Sequence, residues 1–130
     1  MTGLPPTPNY RLAATVLDSP DAQDLAAFYE RLLGWERKAN EPGWVTLPAP
    51  GGGAGLSFQT DETYVRPTWP AKTQDHQRMM MHLDIGVDDL AMAGAYALAS
   101  GASLAEWQPQ EDVRVYLDPA GHPFCLFPNG

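Results

Sequence analysis

The side chains that could carry chemistry in this sequence are few, and the clearest group stands in its second half. His82 and Asp84 are separated by one residue, so on a β-strand both would lie on one face and could work as an acid–base pair. Cys125 is the single cysteine, and it would be a nucleophile only beside a base that lowers its thiol pKa. The alternatives are structural: a hydrogen-bonded histidine, an inert buried thiol and two neighbours that share a face.

Composition excludes several classes of partner. A net charge of −8 over 130 residues argues against nucleic acid and anionic membranes, since both attract clustered Lys and Arg, and it suits a cationic small molecule. One cysteine excludes an internal disulfide and fits a reducing cytoplasm. Residues 1–9 lack a basic start and an apolar run, so we expect a flexible Pro-rich arm and no signal peptide. No apolar stretch approaches membrane-spanning length.

The elements that must position these side chains follow the same order in each half. In the first half, an apolar strand from Leu12 to Leu17 leads through an Asp-Ser-Pro-Asp capping cluster into a helix that ends at Gly34. In the second, the strand Met79–Val87 leads through Asp88 and Asp89 into a helix that ends at Gly101. The remaining predicted strands are Trp35–Ala39, Trp44–Leu47, Leu56–Thr60, Ser103–Trp107, Asp112–Asp118 and Phe124–Phe127.

This order predicts an α+β fold of two βαβββ modules, about 10–62 and about 79–130, joined by a linker over 63–78 in a single domain, 10–130. Strand periodicity then separates the side chains by face. One face is apolar throughout and should form the core: Val45, Leu47, Leu56, Phe58, Met81, Leu83, Ile85, Val113, Val115, Leu117, Phe124 and Leu126. The other mixes aromatic, polar and ionisable groups: Trp44, Thr46, Ser57, Gln59, Met80, His82, Asp84, Arg114, Tyr116, Cys125 and Phe127.

The mixed face predicts a ligand cavity, because polar groups alone would suit solvent but the aromatic rings beside them would not. The predicted cavity residues are Trp44, Ser57, Gln59, His82, Asp84, Arg114 and Tyr116. The alternative is a face that is solvated or packs on another subunit.

Several motifs resemble the vicinal-oxygen-chelate superfamily of glyoxalase-like, bleomycin-resistance-like and extradiol-dioxygenase proteins. They are the tail Asp118-Pro119-Ala120-Gly121-His122-Pro123-Phe124-Cys125-Leu126-Phe127, the run Leu17–Trp35, Pro67-Thr68-Trp69-Pro70 and His82-Leu83-Asp84-Ile85. The resemblance covers the chain from about Arg11 onward. It implies that the two modules form a curved mixed sheet around a cavity, with the helices on its outer face.

The same resemblance implies a metal site that this sequence lacks. Carried over by position, the first-strand ligand falls on Ala14 and the last-strand Glu on Pro123, and neither side chain has a donor atom. His82 matches a ligand position, and Ser57 or Gln59 occupies another. One imidazole and one neutral oxygen do not make the three or four ligands of a transition-metal site, so we expect no metal and no other cofactor.

Three functional classes follow. The first is a metal-free protein that binds or sequesters a cationic or aromatic compound, as bleomycin-resistance proteins do. The second is a metal-independent isomerase or lyase, and the third, disfavoured by Ala14 and Pro123, is a metal-dependent glyoxalase or dioxygenase. The resemblance also implies a homodimer of a bacterial-type protein, for which Trp35, Trp69 and Trp107 could supply apolar anchors. The single cysteine favours a cytoplasmic location.

Overall fold

A computed structural model describes residues 3–128, so the ends of the predicted arm and of the second module lie outside it. Ten elements follow one another along the chain: β1 Ala14–Ser19, α1 Ala22–Leu33, β2 Asn40–Glu41, β3 Trp44–Leu47, β4 Gly55–Thr60, β5 Leu83–Val87, α2 Leu90–Ser100, β6 Ser103–Leu104, β7 Arg114–Leu117 and β8 Pro123–Pro128. No helix within this part of the chain is long and apolar enough to cross a membrane.

Each module builds its own four-stranded mixed sheet. The strand orders are β1-β4-β3-β2 and β5-β8-β7-β6, with the first strand of each module parallel to the fourth and the other neighbours antiparallel. The prediction of an α+β fold with two βαβββ modules is confirmed.

Local sequence explains where both helices begin and end. The Asp21 carboxylate accepts hydrogen bonds from the backbone N–H groups of Gln23 and Asp24, and Gly34 ends α1 in the left-handed conformation. The Asp89 carboxylate accepts from the N–H of Met92 at the start of α2, and Gly101 ends that helix.

The core lies between α1 and both sheets. The Tyr29 ring stacks on Phe58 of β4 at a centroid distance of 5.6 Å, and Phe28 lies 6.0 Å from Phe124 of β8. The Arg31 guanidinium, at the far end of α1, donates to the carbonyl of Ser100 in α2. One helix therefore joins the two modules.

Some strands are shorter than the sequence pattern predicts. β5 begins at Leu83 rather than at Met79, and Met81, which was assigned to the core, is 73% exposed. That assignment is wrong, because Met81 precedes the first paired residue of β5 and the alternation of faces does not extend to it.

The face assignment in β7 is also wrong. Tyr116 pairs with Phe124 and Arg114 with Leu126, so these two residues lie on the helix-facing side of the sheet, while Val115 lies on the opposite side with Cys125. Tyr116 is only 6% exposed and stacks on Phe124. The Val-Arg-Val-Tyr-Leu alternation misled because β7 is buried on both faces in its centre.

Candidate functional site

A cleft of about 610 Å³ lies beside β1, bounded on one side by the two ends of the linker. Its apolar wall comes from Val16 of β1, Val65 and the methionines 79–81, and all of these but Met79 are largely exposed to solvent. Exposed apolar side chains gathered in one concave surface are typical of a binding site.

Opposed charges stand within the apolar wall of this cleft. Asp18 and Asp61 bring two carboxylates and Arg78 one guanidinium. The backbone N–H and hydroxyl of Thr63 both donate to Asp61 Oδ1, and these hydrogen bonds lower the pKa of its carboxyl. Asp61 is therefore ionised at neutral pH, and carboxylates outnumber cationic side chains in the cleft.

Tyr64 and His122 form the inner end of the cleft. The Tyr64 hydroxyl donates to the carbonyl of Ala120 at 2.7 Å, while burial and nearby Asp118 raise the pKa of Tyr64 to about 12. His122 Nε2 lies 2.7 Å from the carbonyl oxygen of Asp18, so this nitrogen carries the proton and donates. With the Tyr64 hydroxyl and His122 Nε2 engaged in hydrogen bonds, the two residues present ring surface to the cleft.

A buried carboxyl lies behind these rings. Asp118 accepts the Tyr29 hydroxyl on one oxygen and the N–H groups of Ala120 and His122 on the other, at 2.8–2.9 Å. Burial raises the pKa of Asp118, although the positive field of His122 and these hydrogen bonds oppose the shift. The Asp118 carboxyl is thus a structural link from β8's hairpin to α1.

A second depression, on the face of the second sheet that lies away from the helices, contains the predicted ionisable group. His82 Nε2 lies 3.1 Å from Asp84 Oδ1, and Asp84 pairs with Cys125 across parallel strands. Burial, and then the Asp84 charge and its hydrogen bond, raise the pKa of the Cys125 thiol, which makes it a weak nucleophile at neutral pH. This pocket, of about 420 Å³, also exposes Gln110 and Asp112.

The structure does not bring the seven predicted cavity residues together. Of the seven, only Gln59 lines the cleft. Its partner on β3, Trp44, is half-buried, and Ser57, two residues before it on β4, is buried. His82 and Asp84 line the second depression, and Arg114 and Tyr116 face the helices. Contact of any of these residues with a ligand stays a prediction.

Sequence reasoning missed the cleft because much of its wall is linker. Asp61, Tyr64 and Arg78 lie outside strands, where side-chain periodicity gives no information. Asp18 was taken only as part of a capping cluster, but it belongs to β1 and lies on one face with Gln59, its partner in the register. Strand register, which the sequence alone does not determine, brings the two residues together.

The residues at the superfamily's metal positions do not fit a metal ion. Ala14 is a half-buried methyl group on β1, and Pro123 is a buried ring on β8, so neither supplies a donor atom. That no metal ion binds at the superfamily's ligand positions stays a prediction, and it rests on the lack of donor atoms at Ala14 and Pro123.

Comparison with protein families identifies the family of this chain. Residues 14–127 match the model of the glyoxalase-like domain, and the protein belongs to this family, a vicinal-oxygen-chelate-type domain. Comparison with curated proteins gives no match.

Solved structures share the fold. A glyoxalase/dioxygenase from Nostoc punctiforme superposes with a TM-score of 0.69 at 17% identity, covering 100% of this chain and 98% of that one. A glyoxalase/bleomycin resistance protein/dioxygenase family enzyme from Burkholderia phytofirmans PsJN gives 0.68 at 19% identity, with 90% and 97% covered. A glyoxalase-related enzyme from Fulvimarina pelagi gives 0.66 at 20%, with 92% and 88% covered. At such identities the likeness concerns the fold alone.

Proposed function

We propose that this protein binds a small organic molecule in the cleft beside β1, without chemistry and without a metal ion at the superfamily's ligand positions. The ligand class is cationic or aromatic. The observation that carries the proposal is the combination of exposed apolar side chains with the carboxylates of Asp18 and Asp61 in one open cleft.

Both the apolar body and the charged group of such a ligand would be stabilised in the cleft. An aromatic or aliphatic body removes Val16, Val65 and Met80 from water, which is favourable at roughly 25 cal/mol per Å² of apolar area. A cationic group is attracted by Asp61, and more strongly once the cleft excludes water and the effective dielectric constant falls. The Tyr64 ring offers a further face to a cation.

The test is a melting screen of cationic aromatic compounds, antibiotics and metabolites against the purified protein. A ligand should raise the melting temperature without turnover, and Asp61→Asn should weaken its binding by about tenfold or more, since the substitution removes charge but keeps shape. Glu62→Gln is the matched control, because Glu62 adjoins Asp61 in sequence but does not line the cleft. Equal loss in both variants would show only an effect of net charge, and no loss would place the ligand elsewhere.

A metal-independent isomerase or lyase is the second candidate, supported by the 3.1 Å contact between His82 Nε2 and Asp84 Oδ1. Turnover in EDTA of a compound that binds in the second depression, lost in His82→Gln, would favour this candidate over sequestration. A metal-dependent glyoxalase or dioxygenase would instead require turnover that EDTA abolishes.

We also propose a cytoplasmic homodimer. Trp107 is half-exposed and packs against Trp69 at a centroid distance of 5.6 Å, so this pair could anchor a partner chain, whereas Trp35 packs against the core. Light scattering at micromolar concentration tests the assembly. A monomeric mass contradicts it, and a dimer that Trp107→Ala dissociates supports this surface.

A further inference from the structure

Among residues 3–128, the four most exposed large apolar side chains form two groups. One group lies in the wall of the cleft, where Met80 is 87% exposed and Met81 is 73% exposed. The other lies in residues 4–12, the leading segment that precedes β1, where Tyr10 is 81% exposed and Leu12 is 76% exposed. Apolar surface left in water costs free energy, so a contact that covered both groups at once would be favourable.

The two groups stand beside opposite charges. Arg11, between the two apolar residues of the leading segment, is exposed and forms no ion pair with any residue from 3 to 128. The cleft sets the carboxylates of Asp18 and Asp61 against the single guanidinium of Arg78. A segment that is aromatic, then cationic, then aliphatic therefore matches a surface that is apolar and net acidic.

The leading segment of one chain is directed away from that chain's own cleft. The carbonyl of Ala13 accepts a hydrogen bond from the N–H of Gly55, which continues the pairing of β1 with β4 beyond the first residue of β1. Asp18 lies roughly 13 Å from the start of β1, at a rise of about 3.3 Å per residue. Arg11 would have to return through a reversal at Leu12 alone, whereas a tight turn needs two central residues.

We propose that the leading segment of one chain docks in the cleft of a second copy, so that two chains exchange these segments. Tyr10 and Leu12 cover the apolar wall of the second copy's cleft, and Arg11 lies against its carboxylates. Two such contacts are related by a two-fold axis, so the assembly closes as a dimer. The three prolines within residues 5–8 limit the conformations of the free segment, which lowers the entropic cost of docking.

This inference rests on the proposed function in one respect, because it uses the same cleft as a binding surface. It adds a partner, a second copy of this chain, and it predicts that a small cationic ligand competes with the leading segment. It does not use the pair formed by Trp69 and Trp107. Segment exchange and small-molecule binding can therefore each fail without the other.

Light scattering of charge-reversed chains tests the exchange. Arg11→Glu should raise the dimer dissociation constant by about tenfold or more, since it sets a carboxylate against carboxylates. Asp61→Lys should do the same from the other side of the contact. An equimolar mixture of the two variants should form a heterodimer, because each leading segment then meets a cleft of opposite charge. Lys38→Glu reverses an exposed cation outside the cleft and should leave the dissociation constant unchanged.

A measurement on the parent chain guards against variants that fold poorly. An excess of a synthetic peptide of residues 3–13 should convert the dimer to monomer, and the same peptide with Arg11→Glu should not. A parent chain that is monomeric at micromolar concentration would overturn the proposal, as would a dimer that neither the peptide nor Arg11→Glu weakens. A compound that raises the melting temperature of such a chain would still support small-molecule binding in the cleft.

Discussion

The two modules share one topology but contribute unequally to the hydrophobic core. In the first, α1 carries charged residues on one side and buries Leu25, Phe28 and Tyr29 on the other. In the second, α2 has no charged residue along its length and buries little beyond Gly94 and Ala97. The comparison shows that the first module supplies most of the hydrophobic core, and that the helix of the second module buries fewer large side chains.

The two sheets differ in the chemistry of their faces away from the helices. On the side away from the helices, β4 of the first module offers the neutral donors Ser57 and Gln59, whereas β5 and β8 of the second offer the ionisable Asp84 and Cys125. The single thiol and the His82–Asp84 pair therefore stand in the module that contributes less to the core. A repeated topology determines where side chains stand, and residue identity alone determines their chemistry.

Truncation of one leucine in each helix should give the largest contrast between the modules. Leu25 of α1 is 1% exposed and Leu98 of α2 is 47% exposed. Leu25→Ala should lower the free energy of unfolding by about 2–5 kcal/mol, because it leaves a cavity in the core. Leu98→Ala should cost less than about 1 kcal/mol. Urea unfolding of both variants measures the contrast, and equal losses would mean that α2 is as deeply packed as α1.

Removal of the Asp118 carboxyl should break the link between the modules. Asp118→Ala leaves the Tyr29 hydroxyl and two backbone N–H groups without their acceptor, at a cost of about 2–4 kcal/mol in unfolding free energy. Asp118→Asn keeps a carbonyl oxygen for the two N–H groups and should cost about half as much or less. Thermal melts distinguish the two, and an equally damaged Asn variant would point to the charge rather than the hydrogen bonds.

A methyl group on Gly94 should damage only the second module's packing. Its Cβ would overlap the hydroxyl of Tyr116, so we expect Gly94→Ala to cost about 1–3 kcal/mol in unfolding free energy despite the better helix propensity of alanine. Gly43→Ala has ordinary contacts in the first module and should be nearly neutral. Tyr116→Phe should rescue Gly94→Ala in a double-mutant cycle, and a purely additive cycle would contradict this packing.

The pH dependence of stability should show the smallest effect. Because the pKa of Asp118 is raised by folding, the unfolded chain ionises first as pH rises above its ordinary value of about 3.9. Stability from this group is therefore complete below that value and is lost as pH rises through the folded pKa. Chemical unfolding from pH 3 to 7 should show the parent chain losing stability relative to Asp118→Asn. A constant difference would contradict the raised pKa.

Sequence periodicity predicted the fold well because most strands bury one face. Both helix caps, the order of the elements and the shared face of Asp84 and Cys125 agree with the structure. The prediction failed in β7, where both faces are covered and alternation carries no signal. Gly94 was the missed clue, since a glycine inside an otherwise apolar helix indicates that something large approaches its backbone.

The site was harder to predict than the fold for a physical reason. Asp61, Tyr64 and Arg78 meet in the cleft only because the linker folds back along β1, and no local rule specifies that path. The prediction that Asp84 and Cys125 lie on one face of the sheet was correct, because alternate residues of a strand point to the same side. Pairing of Asp84 with Cys125 depends on strand register, which the sequence of β8 alone does not determine.

The position of α1 has a consequence for how the molecule comes apart. Phe28 and Tyr29 are buried against rings from both sheets, so separation of the halves would expose aromatic surface belonging to each. Neither half is self-sufficient, although each carries a complete set of strands. The repeat is thus visible in the topology but not in the energetics, and the molecule should lose its structure in a single all-or-none step.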